Sequence, residues 1–310
     1  MTSFSGESSL IANNCDIHTT INNYHRHPPG PPSARDKVLH LLAPLAVPCV
    51  SWDAFGRAIC HHDTRQAIRK ALVAWREDPM AHPVRWIHGG VGTGKTAIAQ
   101  TMAKQWASQG CLAASCFFSE LCKDASSTHR FHETIARQLV QILSFPEHSL
   151  HLLRPEEISK AGWAGIIAAL EKSTLPCSPM VIIIDGLDVC HDQNKQIQLL
   201  GEILGSARQL KGSLKFLICS RLEPHLDKVF DKFDEDISYR ILLEDSKEEN
   251  EDLRRFLQLS LEPVYKHHRK YRTMSKSRID AWPSDEEIDR LVKRANGQFL
   301  FAATVIKLVD

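Results

Sequence analysis

Apolar residues recur with a helical period in the segment that precedes the first strongly apolar run of the chain. Ile68, Leu72 and Trp75 follow one another at spacings of four and three residues, which places them on one face of a helix. Asp63 or Thr64 stands at the expected N-cap, and a proline follows the expected last turn. The pattern predicts an amphipathic helix that begins near Asp63.

Short apolar runs and helical segments then alternate along the chain. The run at 180–184 is apolar at every position, which is typical of a strand buried on both faces of a sheet. Helices are predicted from Lys95 to about Gln109, over 128–143 and over 163–173. This alternation predicts an α/β fold with a mainly parallel sheet and helical crossovers. The five predicted strands cover residues 84–88, 111–118, 180–184, 214–220 and 239–243.

Changes in composition divide the chain into four segments. Residues 1–35 are rich in Ser, Asn, His and Pro and are predicted to form a disordered tail, because they carry too little apolar surface to order themselves. Self-assembly of its Asn-rich part is the alternative. Residues 36–80 are predicted as an N-terminal helical linker and 81–244 as the α/β core. Residues 245–310 are predicted as a small helical domain, with a Ser-x-x-Glu capping box at 284–287.

Charge and cysteine usage exclude several partners and compartments. The 310 residues contain 38 Lys and Arg against 37 Asp and Glu, a net charge of +1, so no global field attracts nucleic acid or an anionic membrane. The nine cysteines are scattered and form no CxxC pair, which indicates reduced thiols in a cytoplasmic protein. No secretory signal or membrane span is predicted, since Pro44 and Pro48 interrupt the longest apolar run.

A glycine-rich motif joins the first predicted strand to the helix that follows it. Gly89, four residues, then Gly94, Lys95 and Thr96 match G-x-x-x-x-G-K-[ST]. The glycines let backbone N–H groups converge on phosphate oxygens at a helix N-terminus, while Lys95 reaches the outer phosphates and Thr96 ligates Mg²⁺. A glycine-rich turn without a ligand is the alternative. The expected nucleotide contacts are Gly89, Gly90, Val91, Gly92, Thr93, Gly94, Lys95, Thr96 and Ala97.

Three charged residues follow later strands and complete a candidate site for a nucleoside triphosphate. Asp185 comes directly after four β-branched residues, where it is expected to hold Mg²⁺ through water, and Asp188 is expected to orient the attacking water. The alternative for Asp188 is a helix cap. Arg221 follows the next buried strand and is expected to stabilise charge at the γ-phosphate. A solvated arginine is the alternative for this position.

Seven segments spread over residues 51–310 carry a family resemblance. They are FGRAICHHDTRQAIRKALVAW, WIHGGVGTGKTAIAQTMA, AASCFFS, TIARQLV, VIIIDGLDVC, FLICSRLEPHL and LVKRANGQFLFAATVI. Together they resemble the NACHT-type module of fungal NOD-like receptor proteins, a nephrocystin-3-like P-loop NTPase of the STAND class. The resemblance implies a switch that rests with ADP and oligomerises with ATP. It also implies a five-stranded sheet of order 5-1-4-3-2, with the Arg221 strand between the P-loop strand and the Asp185 strand.

The same resemblance draws attention to Thr64 and Arg65. The family places the segment that covers the nucleotide base before the first strand, so these two residues are expected to contact adenine or a neighbouring phosphate. A helix cap with a solvated arginine is the alternative. The adjoining cluster 60–63 contains Cys, two His and Asp, yet exposed polar residues are favoured over zinc, because no second paired cluster lies nearby. The basic run 266–278 is interpreted as a solvated loop, with contact to nucleic acid or acidic lipid as the alternative.

Two departures from the family affect the predicted function. Val189 stands where the family commonly has an acidic residue. The sequence therefore supports nucleotide binding more strongly than nucleotide hydrolysis. The sequence stops at Asp310 within the helical domain, without the winged-helix domain, its ADP-contacting histidine or the sensor repeats of the family. The expectation is therefore either a fragment of a longer gene product or a truncated receptor.

Two functions are predicted on these grounds. The first is a self-associating switch that binds ATP, or GTP, with Mg²⁺ and hydrolyses it slowly. The second is an adaptor that binds nucleotide without hydrolysis and acts through assembly. A metabolic kinase is disfavoured, because neither a lid segment nor a pocket for an acceptor substrate is recognised in the sequence.

Overall fold

The computed structural model describes residues 31–47, 50–54, 58–120, 128–210, 212–233, 236–244, 247–271 and 283–309. Most of the predicted tail lies outside these residues, as do Cys15, Cys49, Cys122 and positions 272–278 of the basic run. Positions 266–271 of that run are helical, so the prediction of a loop is wrong for them. No disulfide joins the six cysteines within these ranges.

Five parallel strands form the central sheet, in the order β2-β3-β4-β1-β5. This order confirms the expectation from the family resemblance, since β4 lies between β1 and β3. In register, Cys219 of β4 is flanked by Ile87 of β1 and Asp185 of β3. The carboxyl ends of these three strands therefore meet at one edge of the sheet, where α/β proteins bind their ligands. The strands are β1 Val84–Gly89, β2 Leu112–Phe117, β3 Met180–Asp185, β4 Leu214–Ser220 and β5 Ser238–Leu243.

Helices connect the strands and continue after the last one. Among the described residues, 3₁₀ segments cover Thr128–Arg130, Glu147–Leu153 and Leu187–Val189. No helix in the described ranges is both long enough and apolar enough to cross a membrane. The α-helices are α1 Ala34–Leu42, α2 Gln66–Glu77, α3 Lys95–Ser108, α4 Phe131–Ile142, α5 Pro155–Leu170, α6 Gln193–Ala207, α7 Pro224–Asp231, α8 Lys247–Tyr271, α9 Asp285–Ala295 and α10 Phe299–Val309.

Two helix starts differ from the predictions. Helix α1 begins inside the predicted tail, because Ser33 and Asp36 form a reciprocal capping box that satisfies its first amides. Helix α5 begins at Pro155, eight residues before the predicted 163–173. The backbone of Gly162 is non-helical, with φ of 54°, and this kink interrupts the helical pattern of the sequence.

The N-cap of α2 is also a correction. The structure places Arg65 at that position, not Asp63 or Thr64. Arg65 has a left-handed backbone with φ of 56°, and no side chain caps the helix. Instead, the Arg65 N–H donates a hydrogen bond to Asp252 Oδ2 of the distant helix α8. A tertiary contact therefore replaces the local cap that the sequence pattern predicts.

The core lies on both faces of the sheet, as the uniformly apolar run at 180–184 predicts. Val181 and Ile183 pack on the face covered by α2 and α3. Ile182 and Ile184 pack on the opposite face, with helices that include α4 to α7. Helices α8, α9 and α10 form a separate apolar cluster of their own. This last cluster places the C-terminal helices as a unit beside the α/β core.

Candidate functional site

The glycine-rich loop runs from the end of β1 to the start of α3. Gly94 is the N-cap of α3, and both Gly92 and Gly94 have positive φ, at 79° and 92°. The Thr93 hydroxyl donates to the carbonyl of Gly90, which closes the loop on itself, and Val91 is exposed at its tip. The first amides of α3 therefore lie at the carboxyl edge of the sheet, in the arrangement that binds phosphate oxygens.

Lys95 occupies the inside of this loop. Its Nζ donates to the carbonyls of Gly89 at 2.9 Å and Gly90 at 2.7 Å. Burial lowers the pKa of the Lys95 ammonium, and the nearby carboxylates of Asp188 and Asp185 oppose part of that effect. The ammonium is thus a partly desolvated cation facing two acidic side chains, and its attraction for an anion is stronger there than in open water.

Thr96 and Asp185 are brought together from two elements far apart in sequence. The Thr96 hydroxyl, on the first turn of α3, donates to Asp185 Oδ2 at 2.8 Å. The Asp185 residue, at the end of β3, is 3% exposed. A hydroxyl and a carboxylate are hard oxygen ligands of the kind that Mg²⁺ prefers. These two residues therefore fit a Mg²⁺ ion held with several waters beside a phosphate.

Asp188 lies in the short turn Leu187–Val189 that follows β3, and its side chain is 4% exposed. Its carboxylate Oδ2 lies 3.3 Å from Nε of Arg221, which follows β4 and remains 46% exposed. Asp188 does not cap the next helix, because the Asp192 carboxylate accepts the first amides of α6. The cap alternative for Asp188 is therefore wrong, while the roles expected for Asp188 and Arg221 in hydrolysis stay predictions.

A cavity of about 280 Å³ opens beside the loop. Segment 58–65, the start of α3, helix α8 and helix α10 contribute its walls. Its apolar lining includes Ile59, Phe256, Phe299 and Leu300. A cavity with an apolar lining and few polar groups is typical of a site for a small organic ligand, and its position next to the phosphate loop suits a nucleoside.

Arg65 joins this cavity to the glycine-rich loop. The residue is 5% exposed, so the alternative of a solvated arginine is wrong. Its Nη1 donates to Glu249 Oε1 at 2.6 Å and its Nη2 donates to the carbonyl of Thr93 at 2.7 Å. The guanidinium also lies 4.7 Å from the ring centre of Phe299. Arg65 therefore connects the loop with α8 and α10.

Thr64 is 1% exposed, and its hydroxyl donates to the carbonyl of His61. Both Thr64 and Arg65 line the cavity, and their expected contacts with a base or a phosphate stay predictions. The ligand atoms of His61, His62 and Asp63 lie within 4.8 Å of one another. Cys60 is outside that cluster, and its N–H donates to the Thr101 hydroxyl.

Several residues at the site have no signal in the sequence. Glu249 and Phe299 reach it from the C-terminal helices, and Leu300 donates its N–H to the carbonyl of Gly92 at 3.1 Å. Their positions depend on how α8 and α10 pack on the core, which local patterning does not specify. The motifs therefore locate the glycine-rich loop of the candidate site, but they do not locate the wall that α8 and α10 contribute.

Comparisons with known proteins give one matching sequence family and several solved structures of low sequence identity. A match to the family described as nephrocystin 3, N-terminal, covers residues 65–221. No curated protein sequence matches the chain.

The solved structures that match have low identity. AMPPCP-bound DnaA from Aquifex aeolicus is 17% identical with a TM-score of 0.42, and the match covers 85% of this chain and 65% of that one. Domain III of the Thermotoga maritima replication initiation protein DnaA is 15% identical with a TM-score of 0.41, covering 85% and 89%. C. elegans PCH-2 is 14% identical with a TM-score of 0.45, covering 80% and 64%. The chain thus spans about two thirds of the length of the first replication initiators that it matches.

Proposed function

The chain belongs to the nephrocystin 3 N-terminal family, and we propose that it binds a nucleoside triphosphate with Mg²⁺. The observation that carries this proposal is the 2.8 Å hydrogen bond from the Thr96 hydroxyl to Asp185. It joins the two Mg²⁺ ligands of a P-loop site next to the Lys95 ammonium. Backbone amides at the start of α3 supply donors for the phosphates, and a bound Mg²⁺ would neutralise part of their charge.

We propose ATP as the nucleotide in preference to GTP. Among the described residues that line the cavity, none carries a carboxylate. Guanine presents N1–H and N2–H₂ donors that a carboxylate accepts best, and the side chains of this lining offer them only neutral acceptors such as those of His61 and Thr64. The apolar side chains Ile59, Phe256 and Phe299 suit the flat faces of adenine. Competition between ATP and GTP for the same site, measured by calorimetry with Mg²⁺, tests this preference.

The proposed activity is slow hydrolysis in a signalling switch. Asp188 would orient the attacking water, and Arg221 would stabilise charge on the γ-phosphate. The resemblance to NACHT modules of fungal NOD-like receptors supports a cytoplasmic STAND-class switch that self-associates with ATP. Val189 offers no second carboxylate beside Asp188, so turnover is expected to be slow.

A second candidate function is nucleotide binding without hydrolysis. The 3.3 Å ion pair between Asp188 and Arg221 favours it, because the pair engages the carboxylate that would orient water. Under this function, the site would serve assembly alone. Size-exclusion profiles with ADP and with ATP test the assembly part, and a monomer that does not change with either nucleotide would contradict it.

One experiment separates the two functions. The nucleotide that co-purifies with the chain is released by acid and identified by chromatography, and γ-phosphate release from added ATP is then measured. Lys95→Ala serves as the control without binding, and Asp188→Asn as the isosteric test of chemistry. Slow release that depends on Asp188 supports the switch. Bound ATP that stays intact in both the wild type and Asp188→Asn supports the adaptor. A wild type that binds no nucleotide would overturn the proposal.

A further inference from the structure

A polar pair, with one buried and one half-buried side chain, lies behind the turn that carries Asp188. We infer that Gln196 of α6 and His225 of α7 are positioning residues for Asp188, and that they hold the turn Leu187–Val189 in place for hydrolysis. This inference rests on the proposed function, because Asp188 is its candidate water-orienting residue. Gln196 contacts the backbone of this turn at the Asp188 carbonyl and His225 contacts Gln196, so both would act through Asp188.

The amide of Gln196 is used fully by this turn and by His225. Its Nε2 donates to the carbonyl of Cys190 at 2.5 Å and, through a longer bond of 3.4 Å, to the carbonyl of Asp188. Its Oε1 lies 2.5 Å from Nε2 of His225. Since an amide oxygen only accepts, the His225 ring carries a hydrogen on Nε2. Both donors and the acceptor of the amide are thereby satisfied.

The burial of Gln196 shows why these bonds matter. The residue is 2% exposed, and a buried amide is costly unless its hydrogen bonds are made. An apolar side chain of similar size would fill the same space without that requirement. The polar atoms of Gln196 are explained by the carbonyls of Asp188 and Cys190, to which its amide donates.

The pair also connects the two segments that carry the candidate charges. Asp188 follows β3, whereas His225 lies on α7, four residues after Arg221 at the end of β4. The Arg221 to Asp188 ion pair joins the two segments on the outside, and the Gln196 to His225 bond joins them on the inside. A turn held from both sides fixes the direction of the Asp188 carboxylate, and a displacement of about 1 Å at such a group costs about 100-fold in rate.

The test uses Gln196→Met, which keeps the length of the side chain and removes the amide, together with His225→Phe. The matched control is Gln198→Met, because Gln198 is exposed on the same helix and, among the described residues, bonds only to the half-buried Glu202. We expect kcat for ATP hydrolysis to fall about 10- to 100-fold in the two test variants. KM for ATP and Kd for ADP should change by less than about twofold, because the phosphate loop is untouched.

A second cycle asks whether Gln196 acts through Asp188. In the Asp188→Asn background, Gln196→Met should cause no further loss of kcat, since residues that act as one unit are not additive. A full additional loss would overturn the inference. So would an unchanged kcat in Gln196→Met, or a rise in KM and Kd equal to the loss in kcat.

The alkylation rate of Cys190 tests the positioning of the turn without requiring hydrolysis, so it is independent of the test of the proposed function. Cys190 lies beside the turn, is 4% exposed, and its carbonyl accepts from Gln196. Its alkylation rate, followed by mass spectrometry, should rise more than about fivefold in Gln196→Met and stay constant in Gln198→Met, because local opening exposes the thiol. If the wild type releases no phosphate above Lys95→Ala, hydrolysis is refuted. An unchanged Cys190 rate refutes the positioning itself.

Discussion

Removing one partner of the buried Arg65 to Glu249 ion pair should destabilise the chain strongly. The two charged groups lie 2.6 Å apart, and their side chains are 6% and 9% exposed. In Glu249→Leu the guanidinium stays buried without this carboxylate, which costs about 3 to 5 kcal/mol. Arg65 keeps its bond to the Thr93 carbonyl and its place over Phe299, so we expect the lower end, about 3 kcal/mol.

The electrostatics of the pair predict what the double variant does. Burial raises the pKa of Glu249, and the attraction of Arg65 opposes that rise only in part. The folded chain therefore binds this proton at a higher pH than the unfolded chain does, and stability falls as pH rises through that interval. Since burial outweighs attraction, Arg65→Met combined with Glu249→Leu should cost less than the sum of the two single changes.

Urea unfolding at pH 7, followed by tryptophan fluorescence, measures these differences. The control is Glu157→Leu, which breaks the exposed ion pair between Glu157 and Lys160. The side chains of these two residues are 40% and 71% exposed, respectively. That change should cost less than about 1 kcal/mol. The reasoning is refuted if Glu249→Leu lowers the unfolding free energy no more than Glu157→Leu does. It is also refuted if the double variant loses as much unfolding free energy as the two single variants together.

Further outcomes follow from substitutions at four single positions. Gly186 has φ of 75°, and an added Cβ would lie 2.9 Å from the Phe118 carbonyl oxygen, so Gly186→Ala should lower the free energy of unfolding by more than about 1 kcal/mol. Gly201→Ala, with nothing within 4 Å in helix α6, should instead raise it by about 0.5 to 1 kcal/mol; urea unfolding that ranks them otherwise contradicts the geometry. Burial raises the pKa of Cys190 from 9.0 to about 12. The contribution of the buried thiol to the stability of the folded chain is therefore full below pH 9 and is lost as pH rises towards 12. The difference in unfolding free energy between wild type and Cys190→Ala should then fall by at most about 1.4 kcal/mol per pH unit above pH 9. A difference that stays constant up to pH 10.5 would contradict this prediction. Thr96→Ala should weaken ATP binding in calorimetry with Mg²⁺ and leave binding in EDTA unchanged, whereas equal losses in both buffers would exclude Thr96 as the Mg²⁺ ligand.

The parts of the fold that short-range patterns specify could be predicted from the sequence. The glycine-rich loop sits between β1 and α3 as its motif requires, and the apolar run before Asp185 is a strand buried on both faces. In both cases the signal lies within about ten residues, where the period of apolar positions and the turn chemistry act directly.

The remaining parts depend on contacts between distant residues. Arg65 and Glu249 are 184 positions apart, and Gln196 and His225 are 29 apart. Neither pair follows from local pattern. The start of α5 differs from the prediction for another reason, since the non-helical backbone of Gly162 separates two helical stretches within Pro155–Leu170. Tertiary packing thus decided the N-cap of α2 and the apolar wall of the site.

The contact between the loop and the last helix has a thermodynamic consequence. The Leu300 N–H bonds the Gly92 carbonyl, and a Cβ on Gly92 would lie 2.9 Å from Leu300 Cβ. Any ligand that fills the cavity must therefore bind to a surface that exists only while α10 rests on the loop. Occupancy and docking of the C-terminal helices are then reciprocal: whatever free energy a ligand gains from the docked arrangement, the docked arrangement gains from the ligand. The measured affinity for the ligand therefore also reports the stability of the contact between the C-terminal helices and the loop.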